Sequence, residues 1–179
     1  MKRTALLLIG TLCFTAATMA QTTKGDWLVG GSMTINTTKD NSDFSLLPAA
    51  GHFFAKNFAA GAQVTLSFGK TGDTKYSDVG IGPFARYYFD LKNPNFKPLL
   101  HADFNVVSER NKTNGISVTN TVTSFFIGAG GAYFINRNVA LEGVAGYNSS
   151  KFENNDANGG FRFRLGFQVH LLGSEVKSN

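Results

Sequence analysis

The chain has 179 residues, of which 42% are apolar and 16% charged, and its formal net charge is +5. That length points to one domain. The charge is too mild and too scattered for a nucleic-acid surface, and no stretch beyond the first residues approaches a membrane-spanning helix.

Residues 1–20 carry the three parts of a secretory signal. Lys2 and Arg3 form a basic start, Ala5 to Phe14 an apolar run, and Thr18 and Ala20 the small residues before a cleavage at Gln21. The run is too short for an anchor, since a span needs about 20 residues. Cys13, the one cysteine, falls in this segment, so thiol or disulfide chemistry is not expected of the mature chain. Losing Lys2 and Arg3 from 17 basic residues leaves 15 against 12 acidic ones, a net charge of +3.

From Asp26 onwards the polarity alternates with a period of two, which puts successive side chains on opposite faces of a strand. The first segment, Asp26 to Asn36, sets Trp27, Val29, Met33 and Ile35 against Leu28, Gly30, Ser32 and Thr34. A polar loop, Thr37 to Asp43, leads to Phe44–Ala55; Lys56 and Asn57 then make a short turn into Phe58–Gly69. Lys70 to Lys75 reads as a loop before Tyr76–Asp90, and Asn93-Pro94-Asn95 marks a turn before Pro98–Val107. A longer loop is expected over Ser108 to Ser117, then a Gly-rich strand Val118–Ile135, the turn Asn136-Arg137-Asn138 and the strand Val139–Asn148. The most polar stretch, Ser149 to Gly159, precedes the last strand, Gly160–Leu172. There Phe161, Phe163, Leu165, Phe167, Val169 and Leu171 alternate without a break with Arg162, Arg164, Gly166, Gln168 and His170.

Eight segments joined alternately by short turns and polar loops predict an all-β fold, an eight-stranded up-and-down antiparallel barrel over residues 21–172. Residues 173–179 form a short polar tail. The bulky face is the apolar one, while the other carries Gly, Ser, Thr and charges. A soluble carrier barrel needs the reverse, so the apolar face is expected to meet lipid and the polar face to line the interior. The pattern places the protein in the bacterial outer membrane with both termini periplasmic. His52, Phe54, Phe58, Tyr87, Phe89 and Tyr133 sit on the apolar face beside the short turns, where an interfacial girdle belongs.

Asp78, Arg86, Asp103, Glu142, Arg162 and Arg164 all fall on the inward face. A buried Arg needs carboxylate partners. The expected arrangement clamps Arg86 between Asp103 and Glu142, with Arg162 and Arg164 nearer the loops beside Asp78, and this charge network plugs the lumen. A rival use of the same charges is a narrow ion path. Catalysis is not expected: His101 and Asp103 share a face only because they are two apart, and no serine completes a triad. No metal ligand set or cofactor motif is present, and Gly128-Ala129-Gly130-Gly131 lies inside an alternating strand, not in a phosphate loop.

Three stretches carry a family resemblance: Gly25-Asp26-Trp27-Leu28-Val29-Gly30-Gly31, Gly82-Pro83-Phe84-Ala85-Arg86-Tyr87-Tyr88-Phe89, and Ala132-Tyr133-Phe134 through Asn138-Val139-Ala140-Leu141-Glu142. They resemble the small outer-membrane β-barrel family of OmpX, the OmpA membrane domain and the opacity proteins, in its single-domain Bacteroidetes form. The resemblance implies an eight-stranded barrel inserted by the barrel-assembly machinery, with outer-membrane lipid and lipopolysaccharide as surroundings. It also implies a structural or interaction role, in adhesion or envelope integrity, through outer loops that meet host or surface ligands. A narrow porin-like pore and a soluble lipocalin-like carrier are the alternatives. Such chains often end on an aromatic that guides assembly; here Gly173 to Asn179 runs past the strand, so Phe167 or another strand residue must serve.

Overall fold

The computed structural model describes residues 22–37, 41–72, 74–113, 116–152 and 157–173; the expected signal segment and most of the tail lie outside them. Eight strands follow in order: β1 Trp27–Thr37, β2 Asn41–Ala55, β3 Phe58–Thr71, β4 Thr74–Tyr88, β5 Phe96–Thr113, β6 Ile116–Phe134, β7 Val139–Phe152 and β8 Asn158–Leu171. Each pairs antiparallel with its neighbours, and β1 pairs with β8 to close the barrel.

Turn chemistry sets the register at one end. Asn57 adopts φ 66 in the two-residue connection between β2 and β3, a conformation that Asn tolerates. Asn136 Oδ1 accepts the amides of Asn138 and Val139, each at 2.9 Å. The same turns tie neighbouring strands together. The carbonyls of Asn57, Asn95 and Asn138 accept the amides of Tyr88, Phe134 and His170 at 2.9, 2.8 and 2.6 Å.

At the other end the strands run farther than the alternation predicts. The loop expected over Ser108 to Ser117 is strand: β5 has 18 residues, β6 has 19, and only residues 114–115 separate them. Ser108 pairs with Thr121, Arg110 with Thr119 and Lys112 with Ser117. Backbone pairing needs no apolar face, so the ladder continues where both faces are polar. Likewise Lys70 pairs with Lys75 and Thr71 with Thr74, so the loop expected at 70–75 shrinks to a connection that starts at Gly72, φ +57. About 9–11 residues of a tilted strand cross a bilayer, so the β5–β6 hairpin extends well past any membrane.

Sidedness follows the alternation. Phe161, Phe163 and Phe167 point outward with exposures of 84%, 55% and 48%, whereas Arg164 between them is 4% exposed. Trp27, Ile35, Phe54, Phe68, Ile81, Phe104, Ile127 and Leu141 continue the apolar belt around the outside. A water-soluble carrier would put these faces the other way round.

The interior is more apolar than expected. Leu28, Phe53, Phe84, Tyr88, Leu99, Phe126 and Phe134 are buried within the barrel and form its core. Four doubled aromatics supply most of it: Phe53-Phe54, Tyr87-Tyr88, Phe125-Phe126 and Tyr133-Phe134 each send one ring out and one ring in. Glycine makes the room. A Cβ on Gly51 would lie 2.8 Å from the Phe84 ring, and one on Gly130 would lie 1.8 Å from the Gly143 carbonyl on β7. Gly130 thus serves the close approach of β6 and β7, not an empty lumen.

Candidate functional site

Side chains of β3, β4, β5, β7 and β8 meet halfway up the lumen in one hydrogen-bonded chain. Tyr88 Oη donates to Glu142 Oε1 at 2.8 Å, and Arg86 Nη1 donates to Glu142 Oε2 at 2.6 Å. Arg86 Nε donates to His101 Nδ1 at 2.9 Å. A guanidinium only donates, so Nδ1 carries no proton; Nε2 carries it and donates to Asp103 Oδ2 at 2.8 Å. Arg164 Nη1 donates to the same oxygen. Asn105 donates to Asp103 Oδ1 at 2.6 Å and accepts from Gln63 at 3.2 Å.

Two ion pairs therefore span the barrel: Arg86 on β4 to Glu142 on β7, and Arg164 on β8 to Asp103 on β5. Each is buried and neutral as a pair, with His101 neutral between them. The rings hold the cations flat. Arg164 Cζ lies 3.7 Å from the centroid of Phe126, and Arg86 Cζ 5.3 Å from that of Phe84. The space left beside Ser32, Arg86, His101, Glu142 and Arg164 is about 10 Å³. That holds one water at most.

The pairing differs from the expected clamp. Arg86 stands opposite His101 in the β4–β5 register, and Asp103 stands opposite Phe84, one layer nearer the loop end. Arg86 therefore meets His101, and Asp103 is left to Arg164 across the lumen. His101 and Asp103, two apart on one strand, are hydrogen-bonded neighbours and not merely residues on one face. Tyr88, His101, Asn105 and Gln63 complete the chain; their inward parity was the available signal, but no count along one strand shows which distant strand they meet.

Asp78 and Arg162 lie elsewhere, around a cavity of about 710 Å³ at the loop end that Asp43, Ser67, Tyr76 and Glu109 also line. Asp78 stands directly opposite Glu109 in the register, and its buried Oδ1 has no hydrogen-bond partner among the described residues.

The turn end is closed by a second polar cluster that the sequence does not announce. Lys97 is buried and donates to Asp90 Oδ1 at 2.6 Å, Thr22 Oγ1 at 2.8 Å and Asn57 Oδ1 at 3.3 Å. Thr22 Oγ1 in turn donates to Asn57 Oδ1. Hydrogen bonds from Lys56, Lys97 and Asn57 hold the Asp90 carboxyl well below the usual carboxylate range. The segment before β1 thus tucks into the barrel mouth: the Asn57 amide donates to the Thr22 carbonyl at 2.8 Å and the Gly25 amide to that of Phe53 at 2.9 Å.

Outside, His52 packs edge-on against Trp27 and Phe54, with both centroid separations 5.1 Å, and Tyr87 packs against Phe89 at 4.9 Å. Phe54, Phe58, Tyr87, Phe89 and Tyr133 are exposed near the turns, as are Trp27 and Phe96, which extend the same arc.

Fold and site together define a small transmembrane β-barrel with an apolar belt and hydrogen-bonded side chains bridging its interior at mid-height. The family model described as outer membrane protein beta-barrel domain matches residues 5–168, and the chain belongs to that family. Among solved structures, Neisserial surface protein A is similar with a TM-score of 0.59 at 20% identity, over 82% of this chain and 97% of that one. The N-terminal β-barrel domain of Pseudomonas aeruginosa OprF gives 0.53 at 16%, over 83% and 98%. Pseudomonas aeruginosa OprG gives 0.51 at 12%, over 86% and 99%. These likenesses show the fold. No curated protein matches the chain.

Proposed function

We propose that the protein is a structural and interaction component of the outer membrane, sealed along its axis and working through its loop end. The observation that carries this is the cross-lumen layer, where Arg86–Glu142 and Arg164–Asp103 leave about 10 Å³ free. Beneath it, Phe53, Tyr88 and Phe134 pack around the buried His170 ring in an aromatic layer that disfavours a dehydrated ion. The short turns and the first and last described residues, Thr22 and Gly173, share one end of the barrel, which supports a periplasmic position for that end, while the β5–β6 hairpin extends beyond the other. In this reading lipid and lipopolysaccharide surround the belt and its aromatic girdle, the barrel-assembly machinery inserts the chain, and surface or host ligands meet the projecting hairpins. No reaction is assigned to the protein. The lumen charges act as a plug.

Planar-bilayer recording tests this. The sealed barrel gives no steady steps, and Arg86→Met with Glu142→Leu does not open it because the aromatic layer remains. Reproducible single-channel steps from the unaltered protein, abolished by that change, would establish the pore instead.

A further inference from the structure

β1 and β8 share seven register pairs, Trp27 with Leu171 up to Met33 with Leu165. The pairing then stops although both strands continue. β1 stays paired with β2 up to Thr37 and Ser42, and β8 stays paired with β7 from Asn158 and Ser150. Two strand edges thus face each other without a ladder, bridged at the lower end by the Thr34 hydroxyl donating to the Phe163 carbonyl at 3.4 Å.

This gap lies within the apolar belt. Ile35 on one side is 63% exposed, and Phe161 on the other is 84% exposed. Unpaired backbone is not tolerated against hydrocarbon; it persists only where it lines a polar cavity. Such a cavity is present. About 390 Å³ opens between the strands, lined by Met33, Ile35, Phe161 and Leu165 together with Asp43 and Arg162. Asp43 and Arg162 also line the 710 Å³ cavity inside the loop end, so these two side chains form the common wall between the gap and the lumen. Three carboxylates, those of Asp43, Asp78 and Glu109, and one guanidinium, that of Arg162, line that inner cavity, which makes it acidic.

We propose that this side opening binds an amphiphile with a long alkyl chain and a cationic ammonium head. The chain lies in the bilayer against Ile35, Phe161 and Phe163. The head passes between the edges to Asp43, with Glu109 and Asp78 behind it. An ammonium suits the site because it only donates and the carboxylates there outnumber the one guanidinium by three to one. The inference needs the membrane position of the belt but neither the sealed lumen nor the adhesion role.

The test uses the whole mature barrel in phosphatidylcholine nanodiscs, titrated with dodecylammonium and followed by methyl NMR. Met33 and Ile35 report the opening. Ile81 and Ile127 are exposed on the belt at β4 and β6, away from it, and report general partitioning. Saturable shifts are expected at Met33 and Ile35 and only gradual, non-saturating ones at Ile81 and Ile127. Asp43→Asn and Glu109→Gln, prepared separately so that either suffices if the other fails to fold, should each raise the half-saturation concentration by about tenfold, the worth of one charge-assisted hydrogen bond. Dodecyl maltoside should give no saturable shift. Equal behaviour at all four methyls, equal saturation by the maltoside, tighter saturation by dodecyl sulfate, or indifference to both substitutions would each overturn the proposal.

Discussion

The two halves of the lumen are built on opposite rules. In the half nearer the turns, rings fill the space, every cation named in the network meets a carboxylate, and the β1–β8 seam is paired. In the half nearer the loops the seam parts, the cavity reaches about 710 Å³, and Asp78 faces Glu109 across adjacent strands with like charge. The difference separates what holds the barrel from what the barrel can offer. Close packing is concentrated in the half nearer the turns, and open polar space in the half nearer the loops, where a ligand can reach it.

Opposite responses to neutralising a charge break this comparison most sharply. Arg86→Met leaves Glu142 buried without its cation and should cost about 3–5 kcal/mol, while Arg86→Met with Glu142→Leu recovers much of it. Urea unfolding in vesicles, together with the temperature at which the compact electrophoretic band is lost, reads both. Full heat resistance in the single variant would remove the network from any structural role. Phe53→Ala should cost about 3–5 kcal/mol by opening a void in a closed layer. Val122→Ala beside the loop-end cavity should cost much less, since space is already there, and comparable losses would show the upper half to be as tightly packed as the lower.

Acid sharpens the contrast at the turn end. Asp90 is depressed by its hydrogen bonds to Lys56, Lys97 and Asn57, so the folded state favours the ionised form. Its contribution is complete above the ordinary carboxylate pKa of about 4 and fades as pH falls through the lower folded value. Asp90→Asn should therefore be less stable than the natural protein at pH 7, and the gap should narrow on acidification below about pH 4. A gap unchanged down to pH 2 would argue that the carboxylate charge contributes nothing. The smallest effect has the other sign. Asp78→Asn relieves the facing pair with Glu109 and should stabilise by about 0.2–1 kcal/mol, read as a rise in the urea midpoint.

Much of this was legible along the chain because a strand's period of two is local. The parity of Phe161 to Leu171 settles which face is apolar, and Asn57, Asn136 and Asn138 announce their turns. The extended ends of β5 and β6 were not legible: Ser108 to Ser117 loses apolar alternation because both faces are polar there, and polarity without contrast looks like a loop. The inward rings Phe53, Phe126 and Phe134 were available in the doubled aromatics, where one ring of each pair must turn inward, but the glycines and charges on the same face obscured how apolar it is.

By itself the sequence determined the number of strands, the apolar exterior and the inward parity of Arg86, Asp103, Glu142 and Arg164, since each rests on neighbours one or two residues away. Only the tertiary structure decided that Arg86 crosses to Glu142, that Asp103 goes to Arg164, that Lys97 caps the mouth through Thr22, and that β1 parts from β8 above Met33. Those outcomes depend on register and on the closure of the first strand upon the last. Closure joins residues more than a hundred positions apart, and no local period encodes it.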